Sequence, residues 1–203
     1  MRVLSLGAHP DDIEIGMGGT LAKYSKKGHE VLMLIATVPN KKEMRIKESE
    51  KAARILGAEL NILNINPEKL VFSRELVREL DKVMSDFCPD VVFTHWVHDS
   101  HQDHVSIAKA TIASTRKNGY SVYMYEQTIP GGIVPYCFRP QMYVDISDVI
   151  ELKKESVIAH KSQLDVNNEW WLYGIEGRAT YRGYQIRSKY AESFEIIKDI
   201  LKI

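Results

Sequence analysis

The sequence predicts an α/β fold, doubly wound around a mostly parallel, Rossmann-like sheet with helices on both faces and a C-terminal elaboration. Three observations predict it. Short β-rich runs alternate with longer helical patterns through the first two thirds of the chain, glycine or proline stands where helical patterns stop, and the strand-to-strand intervals are long enough for crossover helices. The 203 residues, 44% hydrophobic and 27% charged, suit one domain over 1–203, with a core over about 1–126 and the elaboration over about 127–203. A chain of this length buries roughly 70% of the surface its unfolded form exposes, so it needs neither a disulfide nor a structural metal to fold.

Residues 2–7, 30–37, 60–65 and 90–95 are apolar runs bounded by turn signals and read as strands. Between them, the helical pattern over 16–27 stops at Gly28, that over 42–56 stops at Gly57, and that over 73–87 stops before Pro89. A fourth helix is expected over about 104–117, ending before Asn118-Gly119. The pattern then changes: 121–126 alternates as a strand, Pro130-Gly131-Gly132 marks a turn, 142–146 reads as a strand and 148–163 as a helix. Beyond that, Trp170, Trp171, Tyr173, Tyr181, Tyr184 and Tyr190 concentrate in a stretch rich in Gly and Arg that has no legible period.

Charge and hydropathy exclude several classes. Lys plus Arg and Asp plus Glu number 27 each, so no nucleic-acid footprint is supported. The longest apolar stretch, 31–38, falls far short of the roughly 20 residues a membrane helix needs. His9, Pro10 and Asp11 interrupt the apolar start before any cleavage site, so a cytoplasmic protein is expected. Cys88 and Cys137, far apart, fit a reducing compartment and are given no role.

In an open α/β sheet, ligands bind beyond the C-terminal strand ends where strand order reverses, here expected between the first and fourth strands. Ala8-His9-Pro10-Asp11-Asp12 follows the first strand, and the run from His95 to His104 follows the fourth, holding four of the seven histidines. His9, Asp12 and His104 form a two-imidazole, one-carboxylate set suited to a divalent transition metal with open positions. One Zn2+ per chain is expected, with Fe2+ or another divalent metal as the alternative. Such a metal lowers the pKa of bound water to about 7. Asp11 is then free to act as general base, and His101 as acid or carbonyl polariser, with Asp103 orienting and charging its ring. The competing structural readings are an N-cap role for Asp11 or Asp12 and hydrogen-bonded structural roles for His95 and His98. Gly16-Met17-Gly18-Gly19 does not read as a nucleotide turn, because it lies after the acidic motif rather than at the strand end.

These residues carry a resemblance. Ala8 to Asp12, Gly18-Gly19-Thr20-Leu21 and Gly28-His29-Glu30-Val31 resemble the first motif region of the LmbE-like, or PIG-L, family of zinc-dependent sugar N-deacetylases. His101, Asp103, His104 and Val105 match its second motif. Asp145-Ile146-Ser147, Lys153, His160, Ser162 and Gln163 match its third, and Gly183, Tyr190, Ala191, Glu192 and Phe194 its ending. The resemblance implies removal of an acetyl group from an N-acetylated amino sugar, an N-acetylglucosaminyl derivative. It also implies His9, Asp12 and His104 as zinc ligands, Asp11 as base and His101 as acid or oxyanion partner. The chain departs from the family where 38–42 leads directly to Arg45 and Glu48, so that pocket wall differs. Arg45 is expected either to reach a substrate hydroxyl or phosphate or to pair with Glu48 on the helix surface. Trp170 and Trp171 are expected as core or subunit contacts, with stacking on a sugar face as the alternative. The other functional readings are a non-haem iron enzyme using the same ligands and a non-catalytic metal- or sugar-binding protein.

Overall fold

The computed structural model describes residues 1–117, 119–127, 129–167 and 170–201. In chain order the elements are β1 (Arg2–Gly7), α1 (Asp12–Lys26), β2 (Glu30–Ile35), α2 (Lys42–Leu56), β3 (Glu59–Ile62), α3 (Arg74–Phe87) and β4 (Val91–Thr94). They continue with α4 (Gln102–Ser114), β5 (Ser121–Tyr125), β6 (Met142–Asp145), α5 (Ile150–Ile158), α6 (Lys161–Asn167), α7 (Trp170–Gln185) and β7 (Ala191–Lys198). One seven-stranded sheet has the order β3-β2-β1-β4-β5-β7-β6. The first five strands run parallel, while β7 is antiparallel to both β5 and β6. This is the doubly wound α/β class read from the sequence, and strand order reverses between β1 and β4, as expected.

Alternation along each buried strand supplies a core on both faces. Val3, Met33 and Phe93 join Ile13, Met17 and Leu21 of α1 on one side. Leu4, Leu6, Leu34 and Val92 meet Leu76, Leu80 and Met84 of α3 on the other. Gly16 and Gly19 are needed where α1 crosses the sheet: a Cβ at Gly16 would lie 2.3 Å from the Tyr125 ring, and one at Gly19 would lie 2.8 Å from Ile146.

Three boundaries differ from expectation. α1 begins at Asp12 rather than Gly16 and is broken at Met17 (φ −151°, ψ 21°). Lys153 Nζ donates to the Glu14 and Ile15 carbonyls before the break and to Glu192, while Glu192 accepts from the Gly19 and Thr20 N–H groups after it. A buried ion pair therefore splints the two half-helices, each charge set against the helix end of opposite partial charge. The predicted 148–163 helix divides at Ala159-His160 into α5 and α6. Strand β7 was not legible, because Glu192 and Glu195 interrupt its apolar pattern; both are buried, paired to Lys153 with the Gly19 and Thr20 N–H groups and to the Arg139 N–H.

Candidate metal centre

The two switch-point loops meet as the topology requires. The segment after β1 is pinned to the segment after β2 by Ala36 N–H to Gly7 O and Thr37 N–H to Ala8 O. Within it Asp11 sits at φ 95°, a left-handed conformation uncommon for a residue with a side chain. Its side chain makes no capping bond to α1, so its carboxylate is not spent on the helix end. Asp12 opens α1 and is held from several sides: Oδ2 accepts from its own loop at His9 N–H (2.7 Å), and Oδ1 accepts from Gln127 Nε2 (3.0 Å).

Asp12 lies 3.5 Å from His9 Nδ1 and 3.3 Å from His104 Nε2. The far nitrogen of each imidazole rests on a second carboxylate: His9 Nε2 on Asp103 (2.9 Å) and His104 Nδ1 on Asp99 (3.1 Å). Each carboxylate fixes the tautomer and leaves the nearer nitrogen's lone pair turned toward Asp12, the arrangement that makes histidine a strong metal ligand. The donor atoms of His9, His101 and His104 lie mutually within 4.8 Å, as do those of Asp12, His95 and His104. His95 is nonetheless a structural residue on this geometry, because its Nε2 accepts the Ala8 N–H at 2.9 Å and that lone pair is spent. Burial, reinforced by the charge of His104, pushes its pKa down to about 4. His104 stacks on the rings of both His95 and His101.

The electrostatics suit a cation. Burial opposes charge on His9, yet its hydrogen bonds to Asp103 and Asp12 raise its pKa to about 9. His104 is treated the same way: against burial, Asp12 and Asp99 raise it to about 10. Burial would raise Asp12, but the charges of His104 and His95 hold it well below the usual carboxylate range. A site that draws protons onto two buried imidazoles is one whose carboxylates ask for positive charge, and a divalent metal on the same donors answers that demand. The residues fit such an ion.

Asp11 lies beside the ligand set with a different environment. Burial and the adjacent Asp12 raise its pKa to about 7, with His160 and Arg45 acting the other way. Arg45 does not reach outward: 4% exposed, its Nη2 donates to Pro10 O (2.9 Å) and Asp11 Oδ2 (3.2 Å). The expected substrate contact is thus corrected to a clamp on the Asp11 loop. The surface pairing with Glu48 is also absent, since Glu48 accepts from Ser162 N–H and Oγ–H at the start of α6.

Asp103 differs from expectation as well. Its carboxylate serves His9, and only its backbone N–H reaches His101, donating to Nδ1 at 3.2 Å. His101 is the N-cap of α4, so its ring turns back onto the helix end while the Asp103 side chain points across to β1. Burial, with the charges of His104 and His9, lowers the His101 pKa instead of raising it. With Nδ1 accepting, the neutral ring carries its proton on Nε2. The residue missed by sequence reading is Asp99, whose signal was an acid five positions before His104. Trp171 packs at the Ile15, Val157 and Ile175 cluster, whereas Trp170 is 78% exposed.

Fold and site together define an α/β protein with a buried histidine and aspartate cluster, able to hold a metal ion, at its topological switch point. The family model for GlcNAc-PI de-N-acetylase (PIG-L) matches residues 4–115, more than half of the chain, and the chain belongs to this family of deacetylases. It is 28% identical over 226 residues to the diacetylchitobiose deacetylase of Thermococcus kodakarensis, covering 98% of this chain and 84% of that protein. Among solved structures it is similar to the N,N'-diacetylchitobiose deacetylase from Pyrococcus horikoshii in complex with its inhibitor MPG, with a TM-score of 0.82 and 29% identity over 97% of this chain and 83% of that one. It is also similar to the conserved protein TT1542 from Thermus thermophilus, with a TM-score of 0.86 and 27% identity over 99% and 96%. Among the described residues no helix is long and apolar enough to cross a membrane.

Proposed function

We propose that this protein hydrolyses the acetamide of an N-acetylated amino sugar, an N-acetylglucosaminyl derivative, releasing acetate and the free amine. The observation that carries the reading is the pair of carboxylate-backed imidazoles converging on Asp12, with the buried Asp11 next to it in sequence and held by Arg45. Relatives named as diacetylchitobiose deacetylases support the substrate class. His9, Asp12 and His104 would hold one divalent ion, with zinc suited to this N and O donor set. When bound, that ion supplies a Lewis acid that polarises the acetamide and acidifies water.

The remaining steps belong to side chains. Asp11 accepts a proton as water oxygen bonds to the acetamide carbon, and it returns the proton to the nitrogen as the C–N bond breaks. Arg45 keeps that carboxylate aimed, holding both Asp11 and the carbonyl of Pro10. His101, protonated on Nε2, donates a hydrogen bond to the oxygen that gains charge. Asp99 and Asp103 keep the two ligand rings in register.

The test is an amine-release assay of the zinc-loaded protein on a panel of N-acetyl sugars, including N-acetylglucosamine and diacetylchitobiose. Stoichiometric acetate and amine are expected from at least one of them. Bound metal without amine release from any N-acetyl sugar would overturn the substrate class.

A further inference from the structure

A cavity of about 480 Å³ opens between α7 and the segment that follows β5, lined by Ile129, Pro130, Trp170, Trp171, Ile175 and Arg178. The volume falls in the ~300–1,000 Å³ range of small-molecule sites. Its walls continue the segments that carry the candidate site. Ile129 stands two residues after Gln127, which holds Asp12. Gly132 lies so close to Ser100, the neighbour of His101, that a Cβ on it would stand 2.5 Å from the Ser100 hydroxyl. Arg178 Nη2 donates to the carbonyl of Ile15 (3.0 Å), three residues after Asp12, and Ile175 joins Ile15 and Val157 in one apolar cluster. Arg178 is the one charged residue among the described residues that line the cavity. Behind it the buried charges pair off, Lys153 with Glu192 and Arg182 with Glu126. Arg178 is the cation left over, since among the described residues its hydrogen bond goes to a neutral carbonyl. Burial pulls its pKa below the ordinary arginine value, and the attraction of Glu126 and Glu192 does not offset that.

We propose that this cavity is an anion subsite, in which Arg178 binds a carboxylate or phosphate carried on a ring-shaped group that packs against Trp170 and Trp171. On the deacetylase reading, on which this role rests, that group is the part of the substrate joined to the N-acetylated sugar. A guanidinium taken out of water without a carboxylate of its own is costly until an anion completes it, and its planar fork matches two oxygens of a carboxylate or phosphate. The indole rings offer flat apolar faces that suit an aromatic ring or the C–H face of a sugar. Each half of the lining excludes a simpler occupant. An apolar chain would leave the guanidinium without an anion, and a free inorganic anion would leave the two indoles and Ile129 uncovered.

The experiment compares two glycosides of N-acetylglucosamine that share a shape and differ in charge, 4-carboxyphenyl and 4-carbamoylphenyl, on the zinc-loaded full chain. Affinity is read by calorimetry on Asp11→Asn, so that turnover does not consume the ligand, and KM and kcat are read on the wild type. The carboxylate is expected to bind about 10- to 100-fold more tightly, the worth of a hydrogen-bonded charge pair. The gain should appear in KM and not in kcat. Arg178→Gln is expected to bind the two alike. Gly174 also lines the cavity, and a Cβ there meets nothing within 4 Å, so Gly174→Leu keeps the fold, checked by circular dichroism. It is expected to fill the mouth and abolish the preference, and it decides the matter if Arg178→Gln does not fold. Equal affinities, or no measurable binding of either glycoside, overturn the proposal; amine release from both alike then leaves the deacetylase reading standing. A preference that survives in either variant places the anion elsewhere and overturns the proposal too. A preference that the variants remove, without amine release from these glycosides, N-acetylglucosamine or diacetylchitobiose, upholds the anion subsite while the deacetylase reading fails.

Discussion

Asp11 is held at φ 95° by the Pro10 carbonyl and its own carboxylate, both gripped by Arg45. Strain of this kind persists where the surroundings over-determine it, and here it separates two adjacent acids into different environments. Asp12 turns into the imidazoles while Asp11 stays beside them. Asp11→Asn is expected to bind a full equivalent of metal and to melt like the wild type, yet to lose about 10²- to 10⁴-fold in turnover, since an amide cannot take the proton. Steady-state rates with metal analysis check this, and retained turnover removes Asp11 from the mechanism. The ring partners give a second expectation. Asp99→Asn and Asp103→Asn should each weaken metal affinity about 10- to 100-fold, acting through His104 and His9 respectively. Competition against a chromophoric chelator measures it. His9, Asp11, Asp12, His101 and His104 were legible because their residue types flank two strand ends; which carboxylate backs which ring was not, because that depends on the angle at which α4 leaves β4.

At the scale of elements, α1 is two half-helices joined by a charge pair rather than by continuous backbone bonds. Lys153 and Glu192 are 2% and 4% exposed at the side chain. Lys153→Met leaves Glu192 buried without its cation, and two carbonyls without a donor, so a destabilisation of about 3–5 kcal/mol is expected. Adding Glu192→Gln should cost less than the two single changes together, because the stranded charge is then gone. Urea midpoints of the three variants decide it, and strict additivity would mean the splint carries no coupling. A second buried pair, His160 Nε2 on Glu14 Oε1 at 2.8 Å, links the α5–α6 junction to the first half of α1. Burial opposes its charge, but Glu14 and Asp11 raise the His160 pKa above 6.5. A raised pKa in the folded state stabilises fully below the unfolded value and is lost as pH rises through the folded one. The stability gap between wild type and His160→Gln should therefore be widest below pH 6.5 and narrow as pH climbs. A gap that does not change with pH would show that the ring is held neutral.

For the whole molecule, the candidate site ties the segment after β1, helix α4 and the segment after β5 into one unit, since Asp12 is reached by His9, His104 and Gln127. An ion that binds only the folded chain must then stabilise it. With free zinc at 100 times Kd, the unfolding free energy of chelator-treated protein is expected to rise by about 2.7 kcal/mol. Calorimetry with and without metal measures the change, and His104→Ala should abolish most of it. A wild type that melts identically in chelator and in zinc would mean that the folded chain does not bind the ion.

The alternation of strands and helices, the glycine stops and the two acidic, histidine-rich strand ends determined the doubly wound fold and where its candidate site sits, because these are local signals of period and turn type. Strand β7 and the broken α1 were decided only in three dimensions: Glu192 looks like a surface acid until Lys153, which is 39 positions away, and the N–H groups of Gly19 and Thr20 surround it. Arg45 likewise looks like a surface helix residue until α2 is laid against the Asp11 loop. Residues whose partners lie far along the chain carry no periodic signal, since burial of a charge is paid for by contacts that only the tertiary structure brings together.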